Sequence, residues 1–240
     1  MPFLPPLARA AGALEIIDGP PVPFADLACC MTDIARVNGW FFGRMVTMIH
    51  VKRMVSVLPA DRVVTVLDVG TGGADIPRAV VRWARRAGRR IRVFALDRDP
   101  ATLRIAAEAS RTYPEITFVR GDALALPIRP GAVDLTISAM TLHHLEPDAA
   151  VRYLAEMDAA ARVGFVVNDL VRTRLAHAVV WLITRFVTRS AISRHDGPLS
   201  VLRSYTPPEV TALCEKAGLL DASVVYHWPY LRLCAVRERR

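Results

Sequence analysis

A glycine-rich turn between an apolar strand and a helix carries the clearest chemical signal in this sequence. Residues 66–75 read VLDVGTGGAD, so Asp68 ends the apolar run just before Gly70 and Gly72. Glycines let the backbone bend sharply and approach a ligand without a Cβ in the way. The free N–H groups of the helix that starts near Ile76 would face the same turn. The pattern therefore predicts a strand–turn–helix unit that holds a nucleotide-like cofactor.

Acids at the ends of successive strands narrow the choice of cofactor. Asp75 stands where a dinucleotide fingerprint requires its third glycine, and no Gly-Lys-Ser/Thr phosphate loop follows. Asp97 ends the second predicted strand and Asp122 ends the third. A carboxylate at Asp97 can accept hydrogen bonds from both ribose hydroxyls, and one at Asp122 can accept from an adenine amino group. Asp68 would then help to hold a cationic amino-acid end, which points to S-adenosylmethionine.

The remaining pattern predicts the elements that position these acids. Strands and helices alternate, and this favours a parallel sheet with helices on both faces, a Rossmann-like α/β fold. Ligands of such sheets bind at the carboxyl ends of the strands. Predicted strands cover residues 63–69, 91–96, 116–120, 133–138, 163–168, 224–227 and 231–236, the last two joined near Pro229. The predicted edge gathers Asp68, Asp97, Asp122, Ser138 and Asn168.

Two further segments are predicted to flank the sheet. Residues 1–23 contain six prolines and read as an irregular arm, and two amphipathic helices follow at 24–37 and 39–58. We therefore expect an N-terminal extension over residues 1–58 and a catalytic domain over 59–240. Residues 170–204 interrupt the alternation with an apolar helix at 175–187 and a polar loop at 193–197. A long insertion after a strand's carboxyl end usually covers the site, so a helical cap is expected there.

At these residues the chain resembles the class I S-adenosylmethionine-dependent methyltransferases. DVGTGG at 68–73 is similar to their glycine-rich motif, Asp97 to their ribose acid, and GDA at 121–123 to their adenine motif. LHHL at 142–145 resembles the branch that methylates small molecules and quinones. Ala74 replaces a third glycine of many members, which is acceptable if its φ is negative. The cofactor contacts that the resemblance implies are Asp68, Gly70, Thr71, Gly72, Asp97, Arg98, Asp122, Ala123 and Ser138.

Methyl transfer to oxygen or to an activated carbon also needs a group that removes a proton. His143 and His144 follow the fourth strand, beside the expected methyl group, and they could equally cap or pack the next helix. His195 stands next to Asp196, whose carboxylate could orient it as a base, or the two form an exposed loop pair. Asp75 is expected to cap its helix. The three histidines are therefore the catalytic candidates.

The amino-acid composition limits the kinds of partner that this protein is expected to bind. The net charge of +8 comes mostly from scattered arginines without interleaved aromatics, so nucleic acid is disfavoured, and no motif of an amino-methylating nucleic-acid enzyme is present. The four cysteines lack metal-ligand spacing, and no leader peptide or membrane span is predicted; a cytoplasmic monomer or homodimer without a metal is expected.

O-methylation of a phenol, hydroquinone or polyketide-like acceptor is the favoured function. C-methylation of a quinol, RNA methylation and ligand binding without turnover stay open as alternatives.

Overall fold

A seven-stranded sheet forms the centre of the molecule. The computed structural model describes residues 7–227 and 231–239. The strands are β1 (Val63–Val69), β2 (Arg90–Asp97), β3 (Ile116–Arg120), β4 (Val133–Ala139), β5 (Ala161–Leu170), β6 (Ser223–His227) and β7 (Arg232–Glu238). Their order is β3-β2-β1-β4-β5-β7-β6, and β7 alone among these strands runs in the opposite direction to the others. The prediction of a mostly parallel Rossmann-like sheet is confirmed; the predicted joint at Pro229 lies outside the described residues.

Eight α-helices surround this sheet within the described residues. They are α1 (Phe24–Trp40), α2 (Gly43–Ser56), α3 (Asp75–Arg86), α4 (Pro100–Ala109), α5 (Pro147–Ala160), α6 (Arg174–Phe186), α7 (Ala191–Arg203) and α8 (Pro207–Lys216). The predicted capping box of α8 is present, with Thr206 and Glu209 in reciprocal contact. No helix in the described part of the chain is long and apolar enough to cross a membrane.

Two apolar layers fix the helices on opposite faces of the sheet. One core joins α2 and α3 to side chains such as Val66 and Ile137. The other joins α5 and α8 to side chains such as Leu67 and Phe165. Because α2 contributes Met54 to the first core, the N-terminal extension shares apolar packing with the sheet. A boundary near residue 58 stays a prediction.

The predicted loop at residues 193–197 is wrong, since these residues belong to α7. Ser190 caps the start of the helix, and Gly197 and Pro198 lie inside it. A Cβ at Gly197 would come within 2.5 Å of Cγ2 of Thr184 on α6. The glycine therefore serves close packing between two helices, which sequence alone cannot distinguish from a turn.

The described part of the N-terminal arm, residues 7–23, contains a regular turn that its prolines do not predict. A short 3₁₀ turn spans Ile16–Asp18, and its first two N–H groups donate to the carboxylate of Asp196 at 2.8 and 3.1 Å. These two hydrogen bonds hold the arm against α7, above the carboxyl ends of the strands. Asp196 thus holds the arm as well as its neighbour His195.

Candidate active site

The turn after β1 has the geometry that its glycines predict. Gly70 and Gly72 adopt φ values of +72° and +51°, and the N–H groups of Gly70 and Thr71 both donate to the carbonyl of Leu96 at 2.9 Å. A Cβ at Gly70 would lie 2.4 Å from Oγ1 of Thr141. A side chain at that position therefore meets both backbone strain and a steric clash.

Two expectations for the helix start are wrong. Ala74 is the N-cap of α3 with a φ of +55°, whereas a negative angle was expected. Its N–H donates to the carbonyl of Thr71 at 2.9 Å, so the tight turn imposes the left-handed conformation. Asp75 is already the first helical residue and makes no capping bond. Its buried Oδ2 has no hydrogen-bond partner among the described residues, and its carboxyl lines the cavity beneath the turn.

The acids at the ends of β1, β2 and β3 line one cavity of about 620 Å³. Asp68 is buried, accepts the hydroxyl of Thr71 at 2.7 Å, and has its pKa raised to about 7 by burial. Asp97 accepts the N–H groups of Gly72 and Asp99 at 3.0 and 3.1 Å, and burial raises its pKa too. Asp122, at the exposed end, accepts the N–H of Leu124 at 2.9 Å.

S-adenosylmethionine fits this lining. Burial disfavours the ionised forms of Asp68 and Asp97, so a cation or hydroxyl donor beside them lowers their free energy. The cofactor offers an ammonium group and two ribose hydroxyls. Gly70 and Gly72 carry no side chain of their own, so the backbone of the turn can approach a cofactor closely. The volume is also in the range of small-molecule sites.

The other end of the cavity holds a cluster that the sequence did not predict, centred on Glu15 of the arm. Its side chain is 3 % exposed, and its Oε1 lies 3.6 Å from Nε2 of His143 without forming a hydrogen bond. Its Oε2 lies 4.0 Å from Nε2 of His144. Burial raises the pKa of Glu15 to about 7. We call Glu15, His143 and His144 the proton cluster.

Each histidine of the proton cluster is oriented by a separate carboxylate. Nδ1 of His143 lies 2.7 Å from Oδ1 of Asp169, and Nδ1 of His144 lies 2.6 Å from Oδ2 of Asp18. Burial opposes ionisation of Asp169, but the contacts with His143 and with backbone N–H groups lower its pKa below the ordinary value. An ionised Asp169 requires the proton on Nδ1 of His143, which leaves Nε2 free to accept.

Two groups of side chains also have the spacing of metal ligands. The ligand atoms of the proton cluster lie within 4.8 Å of one another, as do those of His50, His227 and Cys234. However, a guanidinium nitrogen of Arg203 lies 3.8 Å from Oε1 of Glu15 and would repel a cation there. Nε2 of His50 and Nε2 of His227 are 3.0 Å apart, which a hydrogen bond explains.

Most predicted site residues come together in the cavity. Those that line it are Asp68, Gly70, Thr71, Gly72, Asp97, Arg98, Asp122, Ala123, His143 and His144. Ser138 does not line it and donates its hydroxyl to the carbonyl of Val69 at 2.7 Å. Asn168 instead anchors α2, donating to the carbonyl of Gly43 at 2.8 Å.

His195 does not join the other two histidines. Its side chain is 56 % exposed on α7 and does not line the cavity. The predicted pairing with Asp196 does exist, at 2.7 Å from Nδ1 to Oδ1, but only Asp196 of the two lines the cavity. Helix α7 contributes Arg203 to the site in its place, and this residue had no recognisable signal in the sequence.

Known proteins resemble this chain in sequence. A family model described as a methyltransferase domain matches residues 66–164. The 2-phytyl-1,4-naphtoquinone methyltransferase of Thermosynechococcus vestitus is 30% identical over 197 residues, covering 76% of this chain and 83% of the relative.

Solved structures share the fold at low identity. Human N-acetylserotonin methyltransferase, in complex with S-adenosylmethionine, has a TM-score of 0.65 at 16% identity, covering 90% of this chain and 56% of the other. A methyltransferase from Aquifex aeolicus has a TM-score of 0.53 at 19% identity, covering 77% and 87%. The motif, the fold and the curated relative agree: the chain belongs to the class I S-adenosylmethionine-dependent methyltransferases, and it is an enzyme of that family.

Proposed function

We propose that this enzyme methylates a hydroxyl oxygen of a small aromatic acceptor, such as a phenol, a hydroquinone or a polyketide-like compound. The observation that carries the proposal is the position of the proton cluster at one end of a cavity whose other end holds the cofactor acids. Apolar side chains from α6 and β5, including Val180 and Leu170, line the same cavity. Such a lining suits a small aromatic ring better than a polynucleotide.

The bound cofactor supplies an electrophilic methyl group on its sulfonium. Asp68 is proposed to hold its amino-acid end, Asp97 its ribose and Asp122 with Ala123 its adenine ring. Aligning the acceptor oxygen with the methyl group is a large part of catalysis. Residues of α1, α7 and the arm line the acceptor end of the cavity and support this alignment.

The proton cluster is proposed to remove the proton of the acceptor hydroxyl. Nε2 of His143 takes up the proton, because Asp169 already occupies Nδ1 and stabilises the positively charged ring that forms. Glu15 titrates near neutral pH and can share the proton at Nε2. His144 is a second candidate base. Arg203 donates a hydrogen bond to its backbone carbonyl, and Asp18 contacts its Nδ1, so both residues hold it in place.

C-methylation of a quinol is the second candidate function. It is supported by the relative from Thermosynechococcus vestitus, which is named as a methyltransferase of a naphtoquinone. The same cluster serves this reaction, since a quinol hydroxyl must lose its proton before its ring carbon becomes nucleophilic.

The test is transfer of labelled methyl from S-adenosylmethionine to phenols, hydroquinones, naphthoquinols, carboxylic acids and total RNA. The proposal expects an O-methyl product from a phenol or hydroquinone, identified by NMR. A C-methyl product would establish the second candidate, and label in RNA alone would overturn both. His143→Gln is the control: kcat should fall about 10²–10⁴-fold while the affinity for S-adenosylmethionine, measured by calorimetry, stays near that of the wild type.

A further inference from the structure

Helix α6 presents apolar side chains to solvent as well as to the protein. Leu175, Trp181, Leu182 and Phe186 are 56, 48, 49 and 78 % exposed. We call these four side chains the outer face of α6. Leu175, Leu182 and Phe186 recur at helical spacing along one side of α6. Trp181 lies on the neighbouring side, and Arg174 and Arg185 lie between it and the other three. Surface helices normally turn polar residues outward, so an apolar outer face indicates that something covers it.

The charged residues near the outer face of α6 indicate what kind of surface covers it. Arg174 and Arg185 are exposed on α6, and Arg189 is exposed shortly after its end. The structure shows no ion pair between these arginines and a described residue. No Asp or Glu occurs between Asp169 and Asp196, although the cap runs through this whole segment. Exposed apolar side chains with a tryptophan, flanked by unpaired arginines, are the features of a helix that lies in the surface of a membrane with anionic lipids. With 13 residues the helix is far too short to span the bilayer.

The opposite side of the same helix lines the active-site cavity. Val180 and Thr184 contribute to its wall, next to Gly197 of α7. The acceptor end of the cavity is therefore separated from the outer face by the thickness of one helix, about 10 Å. A membrane in contact with the outer face of α6 would therefore lie close to the acceptor end of the cavity.

We propose that the outer face of α6 seats the enzyme on an anionic membrane surface and that the acceptor is a lipophilic compound drawn from that surface. The second part rests on the proposed function, whereas the first part does not. Binding comes from burial of the four apolar side chains in the headgroup region and from attraction between the arginines and anionic lipid. The enzyme remains peripheral.

Vesicle sedimentation tests the first part. The full chain should sediment with vesicles of equal parts phosphatidylcholine and phosphatidylglycerol, and much less with phosphatidylcholine alone. Raised salt should weaken the binding, because it screens the arginines. Phe186→Asp and Leu182→Asp should each lower the affinity roughly tenfold or more. Leu220→Asp is the matched control: Leu220 is 82 % exposed, lies outside the cap, and its replacement should leave binding unchanged.

Trp181 reports directly on the contact. Lipids with brominated acyl chains should quench part of the tryptophan fluorescence of the wild type, and Trp181→Phe should remove that part. No sedimentation with anionic vesicles, or sedimentation that Phe186→Asp and Leu182→Asp leave unchanged, would overturn the proposal. So would a dimer in solution that Phe186→Asp converts to a monomer, because a second copy would then cover the face.

Turnover of a water-soluble phenol, compared with turnover of a membrane-bound acceptor, distinguishes membrane delivery from the proposed function. With the water-soluble phenol, Phe186→Asp should retain wild-type turnover, because Phe186 does not line the cavity. With a long-chain hydroquinone in anionic vesicles the same variant should lose turnover roughly tenfold, in line with its lost binding. Equal turnover of variant and wild type on the vesicle-borne acceptor would contradict delivery through α6. Absence of any O-methylation would count against the proposed function only. The sedimentation experiment would still decide whether the enzyme binds the membrane.

Discussion

Asp169 holds His143 from two directions. Its Oδ2 accepts the backbone N–H of His143 at 2.8 Å, and its Oδ1 lies 2.7 Å from Nδ1 of the same residue. Both residues are buried, and Asp169 extends from the end of β5 while His143 follows β4. The carboxylate therefore fixes the main chain, the ring orientation and the tautomer of His143 together.

Asp169→Asn should lower kcat about 10²-fold or more, since an amide cannot accept both hydrogen bonds or stabilise a positive imidazole ring. The KM for S-adenosylmethionine should change little, because Asp169 does not line the cavity. Steady-state kinetics with both substrates measures this difference. His195→Ala is the control and should keep wild-type kcat, because His195 lies outside the cavity. A parallel loss in both variants would contradict the assignment.

Glu15 should make stability depend on pH. Its folded pKa of about 7 exceeds the ordinary value of 4.5, so folding favours the protonated acid. The stability it contributes is complete below about pH 4.5 and is lost as the pH rises through about 7. Glu15→Gln does not titrate, so the variant should gain roughly 2–3 kcal/mol relative to the wild type between about pH 5 and pH 8.

Urea unfolding of the cofactor-free protein at several pH values measures this gain. Glu108→Gln, an exposed change on α4, should show no such trend. A difference between Glu15→Gln and the wild type that stays constant with pH would place the pKa of Glu15 near its ordinary value.

Asp97→Asn should weaken the binding of S-adenosylmethionine by about 1–3 kcal/mol, because an amide oxygen cannot accept from two ribose hydroxyls as a carboxylate can. The variant keeps one acceptor for the N–H of Gly72, so the turn should stay folded. Isothermal titration calorimetry gives the affinity, and Asp221→Asn on the exposed far side serves as the reference. Unchanged affinity would place the ribose elsewhere.

Gly70→Ala and Gly88→Ala form a matched pair. Both glycines have positive φ values, +72° and +62°, so each alanine incurs left-handed strain of about 1 kcal/mol. A Cβ at Gly88 meets nothing within 4 Å, whereas one at Gly70 meets Thr141 at 2.4 Å. Gly70→Ala should therefore lower the melting temperature further and abolish cofactor binding, while Gly88→Ala should bind normally. Normal cofactor binding by both variants would separate the turn from the cofactor site.

Dialysis against EDTA should leave methyl transfer unchanged, because Arg203 lies too close to Glu15 for a cation to bind the proton cluster. Loss of activity, with recovery on adding a divalent metal ion, would contradict this and assign the cluster as a metal site.

The local sequence pattern was sufficient to predict the strands of the sheet and the acids that line one end of the cavity. The strand β1 was predicted at its observed bounds, because apolar residues end at an acid followed by glycines. Asp97 and Asp122 could be placed in one cavity because parallel strands have their carboxyl ends on the same edge of the sheet. His195 was predicted in the site but lies outside the cavity. Its pairing with Asp196 was correct, yet the sequence does not show which way the helix turns the imidazole ring or that Asp196 also holds the arm.

The sequence by itself determined the fold class, the methyltransferase family and the placing of Asp68, Asp97 and Asp122 at one edge of the sheet. Each of these depends on residues close together in the chain or on strand ends that topology must align. Only the tertiary structure decided how the acceptor end is built. Glu15 lies 128 residues before His143, and no local pattern links an acid in a proline-rich arm to a histidine after β4. Their approach depends on α7 and the arm packing over the sheet, where burial rather than sequence spacing sets the chemistry of the carboxyl group.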